Sequence, residues 1–252
     1  MTCLAPALPP LGLPLLGLLL LATPALAQPR PIPRSTLPGI GAADPRQPVD
    51  GGAAPWRGLG RVQLEIGGRC TGTLVAPRLV LTAAHCLVSA RTRQLVQPGT
   101  AHFLLGYRQG EFTGHARVAS YRIGAGYVAA SGGPAAADWA LLTLEAPLPA
   151  DRVLPLLRDP PTPRSALMLG GYQQDRPEVL LADTGCRALG VTRQGGQPVL
   201  LHDCAGTRGS SGAPLLAQGP DGRWGVVGVA SRVQVDVALG QAVPAGSIEG
   251  LP

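Results

Sequence analysis

The chain has no lysine: all 21 of its basic side chains are arginine. They fall singly between Arg30 and Arg232, without a run or a helical stripe, so the net charge of +6 reads as a solvated surface and nucleic-acid binding is not expected. Aromatic residues make up only 4% of the 252, which leaves Val, Leu and Ala to build the core. No C-x-x-C pair occurs and only Cys86 adjoins a histidine, so a zinc site has no support. Neither a phosphate-binding glycine loop nor a nucleotide signature is present, and no cofactor or metal is expected. Past the N-terminus there is also no long apolar segment of helical period.

What the chain does have begins with an apolar stretch centred on 11–21, closed by Pro24-Ala25-Leu26-Ala27. Residues 1–27 read as a secretory signal peptide, with Gln28 as the new N-terminus, although the segment before the apolar run lacks Arg and Lys. Pro9, Pro10 and Pro14 interrupt the run and argue against a membrane anchor. Residues 28–48 are Pro-rich without apolar periodicity and read as a leader or pro-segment, so ordered structure is expected to begin near 49–56. Setting aside Cys3, the cysteines are Cys70, Cys86, Cys186 and Cys204. Four cysteines allow three pairings, and two disulfides suit an exported protein.

From residue 49 onward, short apolar segments alternate with turn residues. The first group is 61–66, 71–75, 79–83, 102–107, 117–123 and 139–144; the second is 166–169, 179–182, 199–202, 213–217, 224–231 and 233–237. This pattern predicts an all-β protein. Between the groups, 147–164 is rich in proline, which cannot donate to a sheet ladder. It therefore reads as the connection between an N-terminal β-barrel at 49–146 and a C-terminal one at 165–252, each antiparallel and six-stranded, with the site in the cleft between them.

Three segments carry chemistry. In Leu81-Thr82-Ala83-Ala84-His85-Cys86, small residues before the histidine leave its ring room to face a cleft, and Cys86 can pin the loop, with Cys70 across a strand pair as the expected partner. In Asp138-Trp139-Ala140-Leu141-Leu142, a carboxylate precedes a buried strand, where it is costly unless paired. In Gly209-Ser210-Ser211-Gly212, glycines permit a turn with a serine hydroxyl at its tip. Each has a plain reading by itself: an idle strand-end histidine, an acidic bend, a Gly/Ser loop.

Together they resemble the chymotrypsin-like serine proteases. Residues 82–86 match the T-A-A-H-C motif, 138–142 resemble D-[IL]-A-L-L, and 209–212 resemble G-x-S-G, in the family's chain order. The resemblance spans about 49–237 and is nearest to secreted bacterial members of the glutamyl endopeptidase branch. It implies a catalytic triad of His85, Asp138 and Ser211, with the amides of Gly209 and Ser211 as oxyanion hole. Cys186 and Cys204 are then the remaining disulfide pair. Ser210 stands where animal relatives carry an aspartate that pairs with the new α-amino group. The resemblance therefore implies a pocket that is preformed or ordered in some other way.

By the same resemblance, Ala205, Gly206, Arg208, Ala230, Ser231 and Arg232 surround the specificity pocket. His102, His115 and His202 lack a setting comparable to that of His85 and read as surface or structural. Ala205 at the pocket base argues against a trypsin-like carboxylate, and Ala230 replaces the pocket histidine of glutamyl endopeptidases. The implied activity is hydrolysis of protein or peptide substrates by a secreted or periplasmic monomer with no stable membrane association after signal cleavage. The competing readings are a catalytically silent homologue that binds peptide or protein through the same cleft, and an unrelated basic binding module.

Overall fold

The structure, a computed structural model, describes residues 1–3 and 37–252. All but the first three residues of the expected signal peptide, and the first part of the leader, fall outside the described residues. Among the described residues, no helix is long and apolar enough to cross a membrane.

Six strands close the first barrel: β2 (Leu59–Leu64), β3 (Arg69–Ala76), β4 (Leu79–Thr82), β5 (Ala101–Leu105), β6 (Gly114–Ile123) and β7 (Ala140–Leu144). Their order around the barrel is β2-β3-β4-β7-β6-β5, and every pairing is antiparallel. Near-continuous apolar runs suit strands covered on both faces, because successive side chains point to opposite sides. Val80 and Leu142 face the barrel interior with Phe103, whereas their neighbours Leu81 and Leu141 join a cluster with Trp56, Leu154, Tyr172 and Val226 outside it. That second cluster draws residues from both halves of the chain and binds the halves together.

The second half comprises β8 (Ala166–Gln173), β9 (Arg176–Gln194), β10 (Gln197–His202), β11 (Pro214–Gln218), β12 (Trp224–Val233) and β13 (Gly240–Pro244). Pairings run β8-β9-β10-β13-β12-β11 and return from β11 to β8, which closes a ring of antiparallel strands. A seventh strand, β1 (Gln47–Pro48), adds to the outside of β9. The all-β double-barrel architecture is thus the one the strand pattern predicts.

Three details differ from the sequence-based expectation. Order does not begin near 49–56. Leu37 and Ile40 are buried against Ala205, and Arg46 is buried too, because polar partners satisfy a segment whose composition alone suggests a free leader. The segment at 179–182 is only part of the 19-residue β9, whose exposed end carries too little apolar alternation to stand out. Residues 233–237 are not the last strand. They lead into the turn before β13, and Val235 and Val237 are exposed despite their β propensity. Gly240 opens β13 because a Cβ there would lie 2.1 Å from the Cε1 of His202. The proline-rich connection runs alongside β12, exchanging backbone bonds from Leu157 to Val226 and from Val226 to Pro155.

Candidate active site

β4 ends at Thr82, and a 3-10 turn at Ala84–Leu87 carries His85. A second 3-10 turn at Ala135–Ala137 ends on Asp138, two residues before β7. Thr82 pairs with Ala140 in the antiparallel β4–β7 ladder, so both turns leave the same end of the sheet. The register therefore brings histidine and carboxylate together. The Cys70–Cys86 disulfide ties the histidine turn back to β3, and Cys186 bonds to Cys204 in the second barrel.

Asp138 has no solvent exposure. Its charge is compensated by three donors: the His85 amide at 2.9 Å, His85 Nδ1 at 2.7 Å and the Ser231 hydroxyl at 2.5 Å. A buried carboxylate persists as a charge only when hydrogen-bonded in this way. With Nδ1–H donating to Asp138, a neutral imidazole keeps its lone pair on Nε2. The His85 side chain is 32% exposed, so its outer edge stays open. The buried phenol of Tyr127, packed against Ala84 and Ala137, is pushed up to about 12 by its burial and by the Asp138 charge.

Ser211 lies in the long loop between β10 and β11, and its placement depends on two glycines. Gly209 has φ +96°, and a Cβ there would fall 2.2 Å from the Tyr172 carbonyl oxygen. Gly212 has φ +77°, and its Cβ would sit 2.1 Å from Thr82 Oγ1. No other residue fits these two positions without moving backbone. The loop is hydrogen-bonded to the first barrel: Thr71 N–H donates to the Ser211 carbonyl at 2.9 Å, and Thr71 Oγ1 donates to the Gly209 carbonyl at 2.9 Å. The amides of Ser210, Gly212 and Ala213 donate to Thr207, Ala230 and Ser210. Among the described residues, no carbonyl accepts from the amides of Gly209 or Ser211.

Two shallow depressions meet at Ser211. One is shared by His85, Cys70, Arg69, Arg208 and Gly209. The other holds Arg208, Ala230, Ser231 and Arg232 from the expected pocket, together with His202 and Leu169. Ala205 and Gly206 do not line this depression but back onto it: a Cβ at Gly206 would meet Leu169 and Ser210, and the pair packs and hydrogen-bonds against the segment around Gly39. Ser231 combines its place in this depression with the bond to Asp138, a role nothing in its sequence context announces. A roomier hollow around Leu156, Arg158 and Trp224 contains no histidine.

His202 is not a surface residue. It is buried at the end of β10, and that burial lowers the ring to about 4, so it is neutral at ordinary pH. Its Nδ1 accepts the Cys204 amide at 3.2 Å, while Nε2 has no partner. His102 and His115 stack on the outside of the first barrel, beside Glu65. Burial and its neighbour His102 lower His115.

The sequence matches the family described as the trypsin-like peptidase domain over residues 70–229. No curated protein matches the chain. Its fold is similar to a solved Glu endopeptidase in complex with MPD, with a TM-score of 0.65 and 20% identity, covering 82% of this chain and 93% of that one. It is also similar to the Rv3671c protease in its inactive form, with a TM-score of 0.55 and 18% identity, covering 77% and 87%. At these identities the two structures establish the fold.

Proposed function

The chain belongs to the trypsin-like peptidase domain family, and from that premise we propose that it is a secreted or periplasmic serine endopeptidase using His85, Asp138 and Ser211. The observation that carries this reading is the 2.7 Å bond from His85 Nδ1 to a fully buried carboxylate, with Ser211 sharing the depression in which the ring lies.

A serine hydroxyl needs a base to become a nucleophile near neutral pH. In this reading His85 Nε2 accepts the Ser211 proton as Oγ attacks the scissile carbonyl carbon, and the carbonyl electron pair moves onto oxygen. The free amides of Gly209 and Ser211 receive that oxyanion. Donors of this kind are typically worth about 3 kcal/mol of barrier each. The imidazolium, stabilised by Asp138, returns its proton to the leaving amine as the carbon–nitrogen bond breaks. Water then repeats the sequence on the acyl-enzyme and releases Ser211. His85 must enter this cycle as the neutral base. Two disulfides accord with an oxidising compartment.

Ser211→Ala tests the reading. The mature chain is expected to cleave a denatured protein substrate and to take up a serine-directed phosphonate. The variant should lose at least 1,000-fold in turnover, on the order expected for such a nucleophile, with an unchanged melting temperature. A folded wild-type chain that neither cleaves nor labels would instead mark a silent homologue.

A further inference from the structure

The loop that carries Ser211 lacks a charge at Ser210, yet it is held by a buried charge from another part of the chain. Arg46 lies just upstream of β1, and its side chain is 1% exposed. All five guanidinium N–H groups are used. Nε and Nη2 donate to Asp44 at 2.8 and 3.0 Å; Nη1 and Nη2 donate to Asp175 at 3.1 and 2.9 Å; Nη1 also donates to Gln173 Oε1 at 2.7 Å. The same Gln173 oxygen accepts the Thr207 amide at 2.8 Å. The Thr207 carbonyl then accepts both the amide and the hydroxyl of Ser210, at 3.0 and 2.7 Å. One unbroken chain of bonds thus runs from Arg46 to the residue preceding Ser211.

Two further observations give the arrangement a direction. Gln173 Nε2 is buried without a partner, so the carboxamide acts here through its oxygen alone, which joins the guanidinium to the loop. On the other side of the loop, Gly206 N–H donates to the Gly39 carbonyl at 3.1 Å, and a Cβ at Gly39 would fall 2.2 Å from the Gly206 carbonyl oxygen. Leu37 and Ile40 cover Ala205 there. The segment at 37–48 therefore grips the beginning of the nucleophile loop twice, once by close backbone packing and once through Arg46.

We propose that Arg46 and Gln173 are positioning residues: they fix Thr207 and Ser210, and through them the amides and hydroxyl around Ser211, doing the work of the ion pair that Ser210 cannot make. The inference rests on the reading of Ser211 as nucleophile. It makes the upstream segment part of the competent enzyme instead of a removable leader, and it needs no free α-amino group.

The test uses Arg46→Met and Gln173→Met in the full chain. The second variant removes only the shared acceptor and leaves the guanidinium with both carboxylates, so it decides the matter if the first does not fold. In each folded variant, amide hydrogen exchange at Thr207 and Ser210 should accelerate at least tenfold while β4 and β7 keep wild-type protection. kcat on a peptide substrate should fall at least tenfold with KM changed less than threefold. Exchange and kcat both within twofold of wild type in Gln173→Met would overturn the proposal. A wild-type chain that hydrolyses nothing would sink the nucleophile reading alone, because the exchange measurement decides the clamp without turnover.

Discussion

In the first barrel, His85 and Asp138 are placed by their own sheet. They follow and precede paired strand residues, Thr82 and Ala140, and a disulfide holds the histidine turn. In the second barrel, Ser211 sits on a long loop whose path needs two glycines at positive φ, bonds from Thr71 on the other barrel, and a grip from the upstream segment. Strand register fixes one half of the site cheaply, since a ladder already orders the residues on either side. The other half has no ladder and is fixed by groups distant in sequence. Such a loop can be loosened without disturbing either barrel, whereas the histidine–carboxylate pair cannot be moved without breaking strands.

Asp138→Asn breaks the contrast most severely on the register-built side. An amide in that place can donate toward His85 Nδ1 and favour the wrong tautomer, so kcat should fall by roughly 10⁴. The pH–rate profile and the crystal geometry of His85 check this; a loss below tenfold would mean that the carboxylate does not orient the ring.

The loop-built side is sharpened by acid. His202 shifts from 6.5 unfolded to about 4 folded because it is buried. Between those values the unfolded chain takes up a proton that the folded one refuses. Stability is therefore complete above pH 6.5, declines as the pH falls toward 4, and levels off below, by roughly 3 kcal/mol in all. Melting curves of wild type and His202→Leu should diverge in this window, the variant showing the shallower decline. Equal slopes would place the acid sensitivity elsewhere.

The smallest effect belongs to the exposed turn before β13. Replacing Val235 and Val237 by Thr should change stability by less than about 0.5 kcal/mol and leave turnover unaltered, as denaturant melts and a peptide assay would show. A larger loss would mean that this turn helps hold the loop through the bond between Gly39 and Val235.

Much of this was readable in advance. Apolar runs and proline placement announce two β units, and three short motifs single out His85, Asp138 and Ser211; the structure bonds His85 to Asp138 and sets His85 and Ser211 on the rim of one depression. What stayed hidden shares a cause. Residues 37–48 looked free because proline and polar side chains hide a fit that depends on Ala205, Gln173 and Asp175. His202 reads from the sequence as surface or structural, and only its burial decides for the second. Ser231 carries no local sign of its bond to Asp138, 93 residues away.

Local pattern decided which stretches become strands and which side chains could do acyl-transfer chemistry, because period, turn residues and functional groups are properties of neighbours along the chain. Only the folded chain decided how the serine loop is held, which histidine is buried, and that an arginine far upstream reaches the loop. Those outcomes depend on burial and on hydrogen-bond partners brought from more than 100 residues away, and no short window of sequence contains them.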